Sequence, residues 1–322
     1  MEGNPKIVFI GGGTGLSSVL KGIKKYPIDI TAIISVGDDG GSSGDIRNSI
    51  HVVPPGDIRK VMVAMSETEP LLSTLLDYRF PSETIFGNHT VGNILLTALF
   101  QITGDYVKAI AQLCKVLNVK GTILPVAEKP LTLCALMSDG SVVCGESNIT
   151  AANKCIKQLF LKENDIQATP EVIKAINAAD MIVIGPGSLY TSVIPNLIVP
   201  GVKEAINQSK AKKVYICNAM TEPGETDHFT VSDHVKAVEQ YLGEHSIDII
   251  LANIDHDLDP EVLGRYRSKN AEIVQIDYDE ILKLNKELIA DKFVYINEHK
   301  HIRHTSHKIA AYILMKLIET LD

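Results

Sequence analysis

Short, unbroken apolar runs alternate along this chain with longer stretches in which apolar residues return every three or four positions. "KIVFI" (6–10) and "DITAIISV" (29–36) are too apolar for strands with one wet face, and the second is rich in β-branched residues. Between them, "GGGTG" (11–15) reads as a glycine turn and "LSSVLKGIKKY" (16–26) as a helix. In "IRKVMVAMSE" (58–67), Ile58, Val61, Met62 and Met65 fall on one helical face, and Asp57 stands ahead of them as an N-cap. "VGNILLTALFQI" (91–102) repeats the pattern through Val91, Ile94, Leu95, Ala98 and Leu99, and "YVKAIAQLCKVL" (106–117) follows as a further helix. Buried strands alternating with helices predict an α/β protein with a mostly parallel sheet covered on both faces.

The middle of the chain changes period. "GTILPV", "LTLCALM", "SVVCGES" and "KQLFL" are short strand-like runs around an "SDG" turn, which predicts a small antiparallel insertion at about 120–165. The α/β pattern then resumes. "DMIVIGPGS" (180–188), "KVYICN" (213–218) and "IDIILAN" (247–253) read as strands, and "VSDHVKAVEQYL" (231–242) reads as a helix. "KFVYI" (292–296) is expected to be the last strand and "TSHKIAAYILMKLIETL" (305–321) a capped closing helix. No linker or low-complexity segment interrupts residues 1–322, so a single domain is expected.

Composition narrows the function classes. At 322 residues and 45% apolar content the chain can bury a sizeable core, and 22% charged residues argue against wholesale disorder. With 31 Lys and Arg against 39 Asp and Glu, the net charge of −8 disfavours broad binding to nucleic acid or to an anionic membrane. No apolar run reaches the ~18 residues of a membrane span. "MEGNPKIVFIGGG" lacks a basic start and a cleavage site, so a soluble cytoplasmic protein is expected. Five scattered cysteines without a CxxC spacing fit free thiols. A two-residue Asp139-Gly140 turn would pair Ala135 with Cys144 and put Cys134 on the opposite face, so no disulfide is expected between Cys134 and Cys144.

The chemistry-bearing residues gather where strands end. Gly11, Gly12, Gly13, Thr14 and Gly15 would present backbone N–H groups at a helix N-terminus, which attracts phosphate. The stretch is no Walker A loop, and Leu16 stands where a dinucleotide fingerprint wants its third glycine, so an NAD-type dehydrogenase is a weak reading. "SVGDDGGSSGDIR" (35–47) follows the second strand: Asp38 and Asp39 could read a ribose or place Mg²⁺ beside a diphosphate, with Gly41, Ser42 and Ser43 as small polar neighbours. A plain polar loop is the competing account. In "PPGDIR" (54–59), Arg59 could clamp a phosphate. In "GNHTVGN" (87–93), Asn88, His89 and Asn93 open a helix, and His89, with Asp38, Asp39 and Asp57, is a candidate for proton handling.

Gly185, Pro186, Gly187 and Ser188 form a second anion-friendly turn, and "GGGTGLSSV" and "GPGSLYTSV" share G-x-G-[TS]-x-x-x-S-V. "CNAMTEPGETDHF" (217–229) adds Asn218, Thr221 and Glu222 after the next strand. All of these lie at carboxyl ends of predicted parallel strands, the edge where open α/β sheets bind ligands. His299, His301, His304 and His307 could suggest zinc, but no cysteine or HExxH accompanies them, so a surface basic segment is the favoured reading. No GxSxG elbow supports a hydrolase triad.

Taken in order, "IGGGTGLSSVLKGIKKYPIDITAIISVGDDGGSSGDIR", "PPGDIRKV", "GNILLTAL", "IGPGSLYTSVIPNLIVPGV" and "NAMTEPGETDHFTVSDHV" resemble the YvcK family of gluconeogenesis factors. That family is similar to the 2-phospho-L-lactate transferases within a CofD-like superfamily. The resemblance covers residues 6–310. It implies a modified Rossmann-like fold, a cytoplasmic bacterial protein and a homodimer. It also implies binding of UDP-sugars in support of growth and cell shape on gluconeogenic carbon sources, without a settled enzymatic activity. The alternative it carries is a Mg²⁺-dependent transferase using a nucleotide-diphosphate-linked donor. On the resemblance, Gly11–Gly15 would border the nucleotide, Asp38 and Asp39 would lie beside the diphosphate or its metal, and Gly185–Ser188 with Asn218–Thr221 would complete the cleft. Asp45 and the longer "GNHTVGN" are departures from the family pattern.

Overall fold

The structure, a computed structural model, describes residues 3–50 and 52–321; the first two residues of the N-terminal stretch lie outside them. The chain begins β1 (Lys6–Gly11), α1 (Gly13–Ile23), β2 (Asp29–Ile34), α2 (Gly41–Ile50), α3 (Gly56–Met65), α4 (Pro70–Asp77), α5 (Val91–Thr103), α6 (Tyr106–Val116) and β3 (Thr122–Pro125). An excursion follows through β4 (Leu133–Met137), β5 (Val142–Cys144), α7 (Glu146–Ala152) and β6 (Ile156–Leu161). The chain then runs α8 (Pro170–Asn177), β7 (Met181–Ile184), a π-helical turn at Leu189–Val193, α9 (Ile194–Leu197), α10 (Val202–Gln208) and β8 (Lys212–Ile216). Next come α11 (Val231–Leu242), β9 (Ile249–Asn253), α12 (Pro260–Arg267), α13 (Tyr278–Leu284), β10 (Glu287–Asp291), β11 (Val294–Ile296), β12 (Ile302–His304) and α14 (Ser306–Leu321).

Seven strands form one parallel sheet in the order β10-β9-β8-β7-β1-β2-β3. Residues 7–11 of β1 and all of β7 are buried, as expected for central strands with helices on both faces. The chain winds outward from β1 through β2 and β3, then returns to β7 and winds the other way. The reversal therefore falls between β1 and β7, and the loops leaving their carboxyl ends diverge into a crevice. In α3, Ile58, Val61, Met62 and Met65 are fully buried, as their spacing predicts; each such side chain contributes about 1.5–3 kcal/mol of burial. α1 packs between α3 and α14, and a Cβ on Gly22 would lie 2.5 Å from the Ser306 carbonyl oxygen. One apolar cluster runs through these layers from Ile7 to Leu317.

Four expectations change. First, residues 122–125 are a parallel edge strand of the main sheet, paired with β2, so the antiparallel insertion is confined to β4–β6. α5 and α6 supply the helical crossover that a parallel neighbour requires. Second, Cys134 and Cys144 lie directly opposite each other and are joined as a disulfide. The hairpin turns through three residues, Ser138 to Gly140, with Gly140 at φ 85° and Met137 N–H donating to the Ser141 carbonyl. That one-residue difference in loop length moves the pairing and brings the two cysteines onto one face.

Third, the last strand of the main sheet is β10, not "KFVYI"; residues 294–296 pair antiparallel with β12 in a separate hairpin. Fourth, α5 presents a different face from the one its apolar spacing suggests. Gly92, Asn93, Leu96 and Thr97 point inward, while Leu95 is 41% and Ile102 78% exposed. Gly92 leaves room for the Arg59 stem, and Asn93 donates to Ser42, so close packing and a polar contact set the rotation of this helix. No helix among the described residues is long and apolar enough to cross a membrane.

Candidate functional site

The two glycine turns meet at the β1–β7 crevice. Gly12 precedes α1 with extended backbone and no capping side chain, and Gly13 follows at φ 65°. The first N–H groups of α1 are thus left without a side-chain acceptor. A Cβ on Gly15 would come within 3.1 Å of the Pro186 carbonyl and 3.2 Å of the Gly187 nitrogen, and one on Gly187 within 3.2 Å of the Gly12 oxygen. These glycines allow two backbones to touch. Gly11 sits beside Gly185, and its carbonyl accepts from Asn196. Gly185 has φ 79° and is joined to Pro186 by a cis peptide bond.

The second turn is closed by its own neighbours. Ser188 Oγ donates to Glu225 Oε2 at 2.5 Å, and Thr191 Oγ1 donates to Ser188 Oγ at 2.6 Å. Asn218 Nδ2 donates to the Gly187 carbonyl at 2.9 Å, whereas its buried Oδ1 has no partner. Thr221 Oγ1 accepts from the Glu272 N–H, which ties the loop after β8 to the segment after α12.

The stretch 35–47, expected to be a loop, is a short turn followed by α2. Asp38 Oδ1 accepts from Gly40 N–H, and its other oxygen lies beside Gly56 at the start of α3. Burial raises the Asp38 pKa, opposed by the Gly40 hydrogen bond and reinforced by Asp57. Asp39 faces elsewhere: its Oδ1 accepts from the Ser147 N–H of α7. Gly41 begins α2 at φ 46°, and Ser42 and Ser43 are buried on its inner face. Asp38 and Asp39 therefore do not form a two-carboxylate clamp, and among the described residues no group of three or more His, Cys, Asp or Glu side chains is arranged to hold a metal ion.

Asp57 is not the N-cap of α3. It is the second residue of the helix, pairs with Lys60 at 2.8 Å and lies beside Gly12 and Gly13. The helix starts two residues earlier than expected, with Pro55 as the N-cap and Gly56 as its first residue. The Arg59 guanidinium is paired with Asp77 of α4, which commits it to a helix contact rather than to a phosphate. Ser42 Oγ gathers His89 Nδ1 at 3.0 Å and Asn93 Nδ2 at 2.9 Å, so Ser42, His89 and Asn93 form one cluster between α2 and α5. Asn88 is an exposed turn residue at φ 61°.

A cavity of about 400 Å³ opens on the crevice. Thr14, Gly15 and Ser18 of α1, Pro186 and Gly187, and Asn218 through Pro223 line it, and Tyr266, Lys269, Arg303 and His304 close its far side. The segment expected to be a surface basic stretch thus contributes three cavity residues, Ile302, Arg303 and His304. Loss of water pushes the His304 pKa down to about 4, and its Nε2 lies 3.3 Å from the Cys217 carbonyl. Deeper in, Glu222 and Glu225 sit together, and burial raises the pKa of both. Glu146 of α7 is pushed up to about 8 by burial and then by Asp38, Asp57, Asp39 and Glu225. A larger groove of about 830 Å³ at the opposite sheet edge touches neither glycine turn, and its Lys24 and Lys174 suit the carboxyl ends of α1 and α8.

Glu146, Glu225, Lys269 and Arg303 escaped the reading of the sequence. Glu146 follows a hairpin whose register was not legible. Lys269 and Arg303 reach the cavity only through packing of α12 and the β11–β12 hairpin.

The chain matches the family "2-phospho-L-lactate transferase CofD" over residues 7–294. It is 47% identical over 320 residues to the "Gluconeogenesis factor" of Bacillus subtilis, covering 99% of this chain and all of that protein. It is 46% identical to the "Gluconeogenesis factor" of Halalkalibacterium halodurans, over 96% of this chain and 95% of that one. The crystal structure of protein BH3568 from Bacillus halodurans superposes with a TM-score of 0.94 at 46% identity, covering 97% and 99% of the two chains.

Proposed function

The chain belongs to the CofD family, and from that premise we propose that it is a gluconeogenesis factor that binds a nucleotide-diphosphate-linked sugar, a UDP-sugar, in the β1–β7 crevice. The observation that carries this reading is the uncapped N-terminus of α1 opening on a cavity with Arg303 and Lys269 on its far side. Orphan helix N–H donors and two cations suit a diphosphate. Two relatives at 46–47% identity over nearly the whole chain carry the name "Gluconeogenesis factor", which supports a regulatory role in gluconeogenic growth and, in this reading, in cell-shape or cell-wall homeostasis.

Isothermal calorimetry with UDP-N-acetylglucosamine and UDP-glucose tests the proposal, with GDP, GTP and NAD as controls and each run with and without Mg²⁺. Selective binding of the UDP-sugars is expected. Binding of guanine nucleotides alone, with turnover of a lactyl-phosphate donor in Mg²⁺, would favour the transferase alternative instead. NAD is not expected to bind, since Leu16 fills the place of a third glycine and is wholly buried.

The partner in this reading is a second copy of the chain. α5 carries no charged residue and shows Leu95 and Ile102 to solvent, and α4 beside it shows Leu71 and Leu75. Large apolar side chains shown together on two adjacent helices call for cover, and an uncharged face is its own complement. Sedimentation should find a dimer at micromolar concentration, and L95E combined with I102E should return a monomer with unchanged helix content.

A further inference from the structure

The disulfide that the hairpin register brings together joins a firm strand to a loose one. β4 is the middle strand of its sheet, paired with β6 on one side, and its Leu133, Cys134, Ala135 and Met137 are buried. β5 is three residues long, lies on the edge and leaves Val142 57% exposed. Cys134 and Cys144 are bonded at the last pair of the β4–β5 ladder, and α7 begins two residues later.

α7 rests on the crevice with little apolar hold, since Ile149 is its one buried residue. Its polar contacts reach two separate walls. Ser147 N–H donates to Asp39 Oδ1 at 2.9 Å, and Thr150 Oγ1 donates to Glu225 Oε1 at 3.2 Å. Burial, and then the charges of Asp38, Asp57, Asp39 and Glu225, disfavour the ionised side chain of Glu146 in this seat. Segments with few buried apolar contacts open locally at a fraction of the global unfolding free energy. A bond between residues only 10 positions apart adds less to global stability than one closing a long loop, so its main effect is felt near the bond.

We propose that Cys134–Cys144 is a reversible thiol–disulfide site, reduced by a dithiol, and that it latches α7 against Asp39 and Glu225. Cys144 is exposed and Cys134 is buried, so the incoming thiolate attacks the Cys144 sulfur. The Cys134–Cys144 bond breaks, and Cys134 leaves as a thiolate and takes up a proton. The second thiol of the dithiol then displaces Cys144 from the mixed disulfide. Two electrons have passed to the protein, which now holds two thiols, and the dithiol departs as a disulfide. With the bond cut, β5 and α7 lift from β4 as one flap, while β4 stays paired with β6. Asp39 and Glu225 then lose their shared cover.

Hydrogen exchange read by mass spectrometry on the full chain tests this with no ligand present, so its outcome is independent of the functional reading above. Wild type oxidised with glutathione disulfide is compared with wild type in dithiothreitol. Alkylation after denaturation, followed by peptide mapping, reports whether Cys134 and Cys144 are joined. Reduction is expected to speed exchange across 142–152 by about tenfold or more and to leave β1, β6 and β7 within about twofold. C144S should show the fast rate under both conditions, and C155S, which leaves both partners in place, should respond as wild type. The inference is overturned if Cys134 and Cys144 stay unjoined under oxidation, or if dithiothreitol reduces them only after denaturation. It is equally overturned if 142–152 exchanges alike in both states, if protection falls across the whole main sheet, or if C155S abolishes the response. The wild-type comparison needs no substitution, so it decides the matter even where C144S does not fold.

Discussion

The turns at 11–15 and 185–188 share a sequence pattern and face each other across one crevice, yet the fold uses them differently. The first starts an α-helix directly, with glycine before it and no side chain on its N–H groups. The second passes through a cis Gly185–Pro186 bond into a π-helical turn, with Ser188, Thr191 and Glu225 hydrogen-bonded to one another and Asn218 bonded to the Gly187 carbonyl. In the proposed reading, the first turn offers its donors to the ligand and the second forms the facing wall. The pattern G-x-G-[TS] specifies close backbone approach and a helical exit, not anion binding as such. What differs is the next shell of side chains, here Glu225 with Asn218 at one turn and Asp57, paired with Lys60, at the other.

The comparison can be broken most severely at Gly15. Its Cα faces the Pro186–Gly187 peptide, so G15V forces the turns apart or tilts α1. Overpacking of this kind costs about 1–3 kcal/mol of stability, and the displaced helix start should reduce UDP-sugar affinity by roughly tenfold or more. Melting and calorimetry on the same sample read both effects. A G15V protein with wild-type affinity would mean that the α1 N-terminus is not where the ligand binds.

A smaller effect lies in the pH dependence of the wall. Glu146 has its pKa raised from the ordinary 4.5 to about 8 by burial and neighbouring acids. The folded state therefore holds a proton that the unfolded state has released, and this contribution to stability is present below about 4.5 and lost as pH rises through 8. Asp38, Glu222 and Glu225 are shifted in the same direction. His304 runs the other way: lowered to about 4, it contributes stability above its ordinary 6.5 that is lost as pH falls towards 4. The two trends oppose each other in mildly acidic solution, and above pH 6.5 the carboxylates govern. The melting temperature of wild type should fall between pH 6.5 and 8.5, and E146Q should fall less. Identical slopes would show that Glu146 is solvated.

How far the sequence could have led to this crevice depends on which kind of signal each residue sends. The buried strands and the α3 stripe were legible because apolar periodicity is local and survives packing. Gly11–Gly15 and Gly185–Ser188 were legible because a strand followed by glycines fixes their place at a sheet edge. Register was not: one extra residue in the 138–140 turn decides whether Cys134 meets Cys144, and no composition rule supplies it. Helix rotation failed for a related reason. The apolar stripe of α5 outvotes Asn93 in any periodicity count, but Gly92 against Arg59 and Asn93 against Ser42 fix the rotation. Arg59 itself looked like a phosphate clamp because Asp77, its partner, lies 18 positions away on another helix. Glu225 carried no periodic signal, and its importance comes wholly from Ser188 and Thr150, neighbours in space.

The mildest test bears on the wall and should leave the binding turn untouched. S188A removes the hydroxyl that donates to Glu225 and accepts from Thr191, and leaves the backbone of the turn unchanged. A lost hydrogen bond to a buried carboxylate costs about 1–3 kcal/mol, mostly through the acceptor left short of a donor. Because that donor favours the charged form of Glu225, its loss raises the pKa of the carboxylate further, so the destabilisation should grow with pH. UDP affinity should stay within about threefold of wild type, since the α1 donors are unaffected. A large loss of UDP affinity in S188A, at unchanged melting temperature, would reverse the assignment and make the 185–188 turn the one that holds the phosphates.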